Sequence, residues 1–344
     1  MFIVHPDVTT KSEASRLIVE DANVSLAFEG DSATATSSVL QHMPFCRTVS
    51  ELADSTKLSP RTVKSILAIF QEDNLILDLS DIAGLTAQDL VKKIRQASIF
   101  WNMHVMWQTF PSRLFAGEAT RAEVLGWGIE HYFFVRAANE YMARGASRSQ
   151  GTTRHINELW KHYAEEAFHD EIFLHGLADC GLDVQSLPRR PPLATTMALL
   201  NFLFEKSAES ALSYTSVFCL MQAGSQARST REIERRYEQL RSYYPFASSL
   251  FDAFEKHDKI DAGLGHSSLT IEAILKEEEP LSDKQMRRIF ETIEQTANHF
   301  VLFFEGIPRH YKSSRLVTYR QVPNAIGAAL SQDKHQQSKA ADMT

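Results

Sequence analysis

The 344-residue chain has little cysteine, no surplus of basic residues and no long apolar run. Its three cysteines, Cys46, Cys180 and Cys219, are odd in number and far apart. That excludes a disulfide framework and a CxxC metal site, and it fits a reducing compartment. The formal net charge of -7 offers no cationic surface for generic nucleic-acid binding. The opening MFIVHPDVTT lacks a basic region ahead of an apolar stretch, so no signal peptide is expected. The longest apolar runs, such as MALLNFLF, are far too short to span a bilayer. No internal repeat of fixed period is visible. These absences together point to a cytoplasmic protein with neither a membrane nor a nucleic-acid partner. What is present, 44% hydrophobic and 23% charged residues, is ordinary for a globular chain.

Residues 1–85 differ from the rest. Their centre, TVSELADSTKLSPRTVKSILAIFQEDNLILDLS, predicts a short helix over 50–56, then a turn. A second helix starts at Pro60 behind a Ser59 cap. Val63, Ile66, Leu67 and Phe70 have helical spacing, and LILDLS alternates like a strand. This order resembles a winged helix-turn-helix. Twelve Asp/Glu against six Lys/Arg give the segment a net charge of -6, and its second helix offers only Arg61 and Lys64. Each phosphate contact needs a cation. A docking or dimerisation module is therefore expected ahead of a DNA reader.

From residue 86 nearly every pattern is helical. Helices are predicted over 86–110, 118–144, 154–179, 193–222, 227–242, 246–262, 267–277 and 281–305, with a hard break at LPRRPP. The expected class is all-α: a bundle of about seven helices over 86–325, preceded by the small domain and followed by a disordered polar tail over 326–344.

Three stretches carry candidate chemistry. In HYAEEAFHDE, His162, Glu166 and His169 have H-x3-E-x2-H spacing, which returns to one face of a helix. Imidazole with carboxylate suits iron, manganese or zinc. A merely wet polar face has the same pattern. In FEKHDKIDAGLGH, His257 and Asp261 are four apart, and His266 follows after Gly263 and Gly265. The alternative there is an ordinary helix end. In GWGIEHYFFVR, Glu130 stands among apolar residues and needs a partner, either an ion or an arginine such as Arg136 or Arg121. His131 points about 100° away. Three carboxylates and up to four imidazoles are the inventory of a dinuclear site between bundle helices. Trp101, His104, Met106 and Trp107 form a stripe that suits a core or a cavity wall.

The run RHINELWKHYAEEAFHDEIFLHGLADCGLD, followed by PLATTMALLNFL, resembles the haem-oxygenase-like superfamily over about 88–308. That superfamily includes quinone-synthase-like, thiaminase-like and diiron-oxidase groups, and the last is the nearest in pattern. The resemblance implies two irons held by Glu130, Glu166, His169, His257 and Asp261, with His162 a further ligand or an orienting group. The family's last histidine would fall at Leu264, and His266 stands in for it. It also implies O2 as co-substrate and oxidation of a small amino-acid-like or fatty-acid-like metabolite, as in natural-product biosynthesis. A homodimer is expected. Three other readings compete. One is a cofactorless oxidase using Arg136 and Tyr132. Another is a thiaminase-like hydrolase with Cys219 as nucleophile. The third is a ligand-sensing regulator acting through the helix-turn-helix.

Overall fold

The structure, a computed structural model, describes residues 2–13, 15–21, 24–80, 82, 84–148, 153–225, 229–263, 270–275 and 281–312. The bundle's expected histidine at 266 and the tail over 326–344 lie outside the described residues.

The chain opens with four strands that hydrophobic periodicity does not reveal: β1 (Phe2–Val4), β2 (Thr9–Glu13), β3 (Arg16–Glu20) and β4 (Ser25–Glu29). Strands β2, β3 and β4 form an antiparallel meander, with Thr9 opposite Glu20 and Arg16 opposite Glu29. Strand β3 turns Leu17 and Val19 into a core, whereas every residue of β2 is exposed. An exposed strand of polar residues leaves no hydrophobic signature to read.

Three helices come next, α1 (Gly30–His42), α2 (Val49–Thr56) and α3 (Pro60–Glu72). The Thr48 and Ser59 side chains cap α2 and α3 by accepting from the amides of Glu51 and Thr62. Val63, Ile66, Leu67 and Phe70 are buried, as their spacing predicts, while Arg61 and Lys64 are exposed. The expected helix, turn, helix and strand are present. The strand is β5 (Ile76–Asp78), and it pairs antiparallel with β1, Phe2 opposite Asp78. The three-stranded meander precedes the helices. Among the described residues no hairpin comes after α3, so the wing is not seen there.

Strand β5 joins two cores. Ile76 belongs to a small core that includes Phe2, Val39, Leu52 and Phe70. Leu77 faces the other way, into the large core that extends to Tyr311. Strand period of two places these neighbours on opposite sides.

The rest of the large core is carried by helices: α4 (Ala87–Gln108), α5 (Phe110–Phe115), α6 (Arg121–Arg148), α7 (Thr153–Glu166), α8 (Asp170–Asp179), α9 (Ala194–Glu209), α10 (Ala211–Ser225), α11 (Thr230–Tyr243), α12 (Ser248–Gly263), α13 (Thr270–Leu275) and α14 (Asp283–Tyr311), with Leu79 and Ile82 joining it from the segment after β5. Taking α7 with α8, and α9 with α10, as broken rods leaves seven long rods among the described residues. Helix α6 is central and packs against α7, α8, α9 and α14.

Several boundaries differ from expectation. The segment 154–179 is two helices, and 193–222 breaks at Ser210, which is extended at φ -167°. Gly145 does not end α6. It sits inside the helix, where an added Cβ would lie 2.7 Å from the Tyr214 ring. Helix α14 runs on past 305, through Pro308, to Tyr311. None of the described helices is long and apolar enough to cross a membrane.

One crossing brings two helices unusually close. Helices α8 and α12 meet at Gly176, where a Cβ would stand 2.8 Å from the Ser249 carbonyl oxygen and 2.9 Å from the Ala253 Cβ. Backbone cannot yield there as a flexible side chain can. Gly176→Ala is expected to destabilise the bundle by about 1–3 kcal/mol through overpacking, read as a lower denaturation midpoint.

Candidate metal centre

HYAEEAFHDE does not lie on one helix. Helix α7 ends at Glu166, Ala167 to His169 form a turn, and α8 begins at Asp170. Phe168 holds the left-handed region at φ 66°, an uncommon conformation for a side chain of this size, and the residue is 65% exposed. Asn139 of α6 clamps the turn. Its Oδ1 accepts from the Phe168 amide at 2.9 Å, and its Nδ2 donates to Asp170 Oδ1 at 3.0 Å. The turn re-aims His169, so that its Nδ1 lies 3.2 Å from Glu166 Oε2. His162, one helical turn before Glu166, places Nε2 4.0 Å from Glu166 Oε1 and rests edge-on against Phe218.

Helix α12 supplies the facing side. His257 Nε2 is 3.9 Å from Glu166 Oε2, and its Nδ1 is 3.3 Å from Asp261 Oδ2. The His169 and His257 rings meet at 80° with centroids 4.9 Å apart. One ligand atom from each of Glu166, His169, His257 and Asp261 can be chosen so that all lie within 4.8 Å of one another. Each of these side chains is at most 20% exposed.

Four of the seven sequence-derived candidates therefore converge, with His162 at the margin. Glu130 does not join them. Fully buried on α6, it is held by three donors: Tyr311 Oη at 2.7 Å on Oε1, and the Leu193 amide at 2.9 Å and Thr196 Oγ1 at 2.8 Å on Oε2. Those contacts tie α6 to the start of α9 and the end of α14. Neither arginine weighed as its partner fills that role. Arg136 donates to the Pro188 carbonyl, and Arg121 stacks over Phe246. His266 lies outside the described residues.

The electrostatics of the cluster are those of crowded acid. Burial raises the Glu166 pKa. The contact with His169 and the charges of His257, His162 and His169 outweigh that, leaving the carboxyl below its ordinary range. Asp261 goes the other way. Burial first, then the neighbouring Glu166 and Asp258, push it up to about 8. Its Oδ1 is buried and has no hydrogen-bond partner among the described residues. Two carboxyls in one buried cluster favour either a retained proton or a cation between them.

Aromatic residues surround this acid. His131 is not wholly covered, yet Trp127, Phe134, Phe173 and Phe254 ring it. Burial, with His257 adding to it, lowers its imidazole to about 3. Tyr141 and Tyr214 carry no sequence motif. Both phenols are driven up chiefly by burial and also by Glu166. The Tyr214 hydroxyl has no hydrogen-bond partner among the described residues. One signal for Tyr141 does exist: it falls eleven residues after Glu130, three helical turns on the same stripe.

Other candidates fall away. Cys219 is buried, its Sγ faces the Thr215 carbonyl, and burial pushes its thiol far up, so it is no nucleophile. Trp101 is core, and Trp107 is half exposed. A surface cleft of ≈ 530 Å³, lined by Arg144, Asn201 and Arg288 among others, shares no residue with the cluster. The cluster, and not the cleft, gathers the reactive groups.

No protein-family model and no curated protein matches the sequence. Solved structures do match. A domain of unknown function with a haem-oxygenase-like fold from Shewanella denitrificans OS217 aligns at TM-score 0.54 and 17% identity, over 67% of this chain and 95% of that one. The bundle has the haem-oxygenase-like fold. A TenA homologue from P. horikoshii OT3 aligns at TM-score 0.45 and 12% identity, covering 65% and 99% of the two chains. A TenA family transcription regulator from Silicibacter sp. TM1040 aligns at TM-score 0.42 and 15% identity, covering 63% and 96%. At 17% identity the first of these likenesses extends to fold alone.

The geometry sets two outcomes. Glu130→Gln puts an NH2 group where one oxygen accepts, setting donor against donor. It is expected to cost about 1–3 kcal/mol of stability while leaving metal content unchanged, measured by denaturation and metal analysis. A left-handed non-glycine residue costs about 1–2 kcal/mol. Phe168→Gly is thus expected to hold stability within about 1 kcal/mol, whereas β-branched Phe168→Val lowers it by more.

Proposed function

We propose that the chain is an O2-dependent non-haem iron oxidase or oxygenase acting on a small amino-acid-like or fatty-acid-like metabolite. The observation that carries this reading is the largely buried set of two carboxyls and two imidazoles, with one Asp261 oxygen left without a hydrogen bond among the described residues. That donor set fits a first-row divalent ion and not calcium. Glu166, His169, His257 and Asp261 would hold the first ion. His162 and His266 are the donors that remain for a second, and Glu130 is withdrawn from the ligand set.

Bound ferrous iron would supply the electrons that activate O2. The chain's own residues do the rest. Phe173, Phe254 and Trp127 pack beside His131 and His257 and exclude water from that side. Tyr141 and Tyr214 keep their protons and present phenols in a region that feels the Glu166 charge. A protonated phenol there can donate a hydrogen bond to a polar substrate group. His131 stays neutral beside His257. The α7–α8 turn and the α8–α12 crossing hold Glu166, His169, His257 and Asp261 on packed helices and a clamped turn.

Anaerobic loading with ferrous ion, followed by metal analysis and an O2 pulse, tests the reading. Two irons per chain with O2 consumption support the dinuclear form, and one iron restricts the site to Glu166, His169, His257 and Asp261. Glu166→Ala and Asp261→Ala are each expected to weaken iron binding by on the order of tenfold or more, with helicity retained. Full iron content in both variants, or no iron in the parent chain, overturns the assignment.

A further inference from the structure

A second cluster of ligating side chains lies away from the first, where the small domain meets the bundle. The residues after β1 form a tight turn. The His5 amide donates to the Leu75 carbonyl at 2.8 Å, and the Val8 amide donates back to the His5 carbonyl at 3.0 Å. With Pro6 inside it, this turn presents His5 and Asp7 side by side to helix α4. There His104 Nδ1 lies 2.7 Å from Asp7 Oδ2, and His5 Nδ1 lies 3.2 Å from the same oxygen. The two imidazoles stand at 83° with centroids 5.6 Å apart. One ligand atom from each of the three side chains can be chosen so that all lie within 4.8 Å of one another.

Two features of His5 point to a ligand. The residue is only 4% exposed, and neither ring nitrogen makes a hydrogen bond of proper geometry among the described residues. The Phe100 ring closes one side of the imidazole edge-on, with centroids 4.8 Å apart. An oxygen or nitrogen ligand sits about 2.0–2.2 Å from zinc, so tetrahedral neighbours are roughly 3.3 Å apart. The 3.2 Å between His5 Nδ1 and Asp7 Oδ2 already matches that spacing, while the 2.7 Å contact of His104 Nδ1 with Asp7 Oδ2 is a hydrogen bond that an ion would replace, the two atoms parting by roughly 0.6 Å.

We propose that His5, Asp7 and His104 form a second metal site, taking zinc or a similar first-row divalent ion with water in the open position. The ion would cross-link the turn after β1 to helix α4, and so join the small core to the large one. Residues so far apart in the chain form such a site only once both parts have folded, so binding would stabilise their junction. Nothing in the proposal depends on the iron reading, because no ligand is shared.

Cobalt(II) is a suitable probe, since its visible absorption reports coordination. The full chain carrying Glu166→Ala and Asp261→Ala, which removes two ligands of the bundle cluster, is titrated with Co2+. One equivalent is expected to bind and to be displaced by Zn2+, and Zn2+ is expected to raise the denaturation midpoint. Adding His104→Ala to that background should lower the Co2+ affinity on the order of tenfold or more and abolish the zinc-induced shift. Asp7→Asn, which keeps the shape of the turn, should do the same if His104→Ala fails to fold. Absence of Co2+ binding overturns the proposal, as does binding that Asp7→Asn leaves intact. The cluster would then be a hydrogen-bonded clasp only.

Discussion

Glu166 and Asp261 share one largely buried cluster with two imidazoles, and the competition of these two carboxyls for charge is the constraint that the neighbouring elements meet. Low-dielectric surroundings magnify repulsion between carboxylates as strongly as they magnify attraction to a cation. The protein divides the burden. Glu166 keeps its charge through His169, His257 and His162, and Asp261 gives up its charge by holding a proton to about pH 8. A cation would replace that proton.

Three local devices bring the pair together. The left-handed turn at Phe168 swings His169 towards Glu166, and Asn139 holds that turn from the neighbouring helix. Gly176 lets α8 and α12 approach closely enough for His169 and His257 to meet. At a distance, Glu130 acts as a rivet: its three donors come from the start of α9 and from α14, and they fix the central helix α6 that carries Asn139, His131 and Tyr141. Polar groups buried in this way are stable because each donor has its acceptor.

Much of the architecture is legible in the residues taken in order. Ser59 before Pro60 marks the start of α3, Thr86 marks α4, and the spacing of His257 and Asp261 places both on one helix face, as observed. The features that escape such a reading depend on contacts distant in sequence. Phenylalanine has no preference for a left-handed turn, so the break inside HYAEEAFHDE is imposed by Asn139 and by packing. An isolated carboxyl in apolar company calls for a partner, and for Glu130 a metal is the natural expectation. The partner is Tyr311, 181 residues later. Strand β2 is polar and exposed along its length, and no periodicity betrays it. His5 and Asp7 carry no motif at all until the fold sets them against His104.

The pairing of β1 with β5 has a consequence for synthesis. Strand β1 is made before α1, α2 and α3, yet its partner at Ile76–Asp78 is made after all three. During translation the first strand must wait with its edge unpaired while α1, α2 and α3 emerge. Non-local pairing of this kind is slow, and a waiting strand edge is open to misassociation. The β2–β3–β4 meander can form locally, but the small domain completes its core only when the ribosome delivers β5, the strand that also reaches the large core.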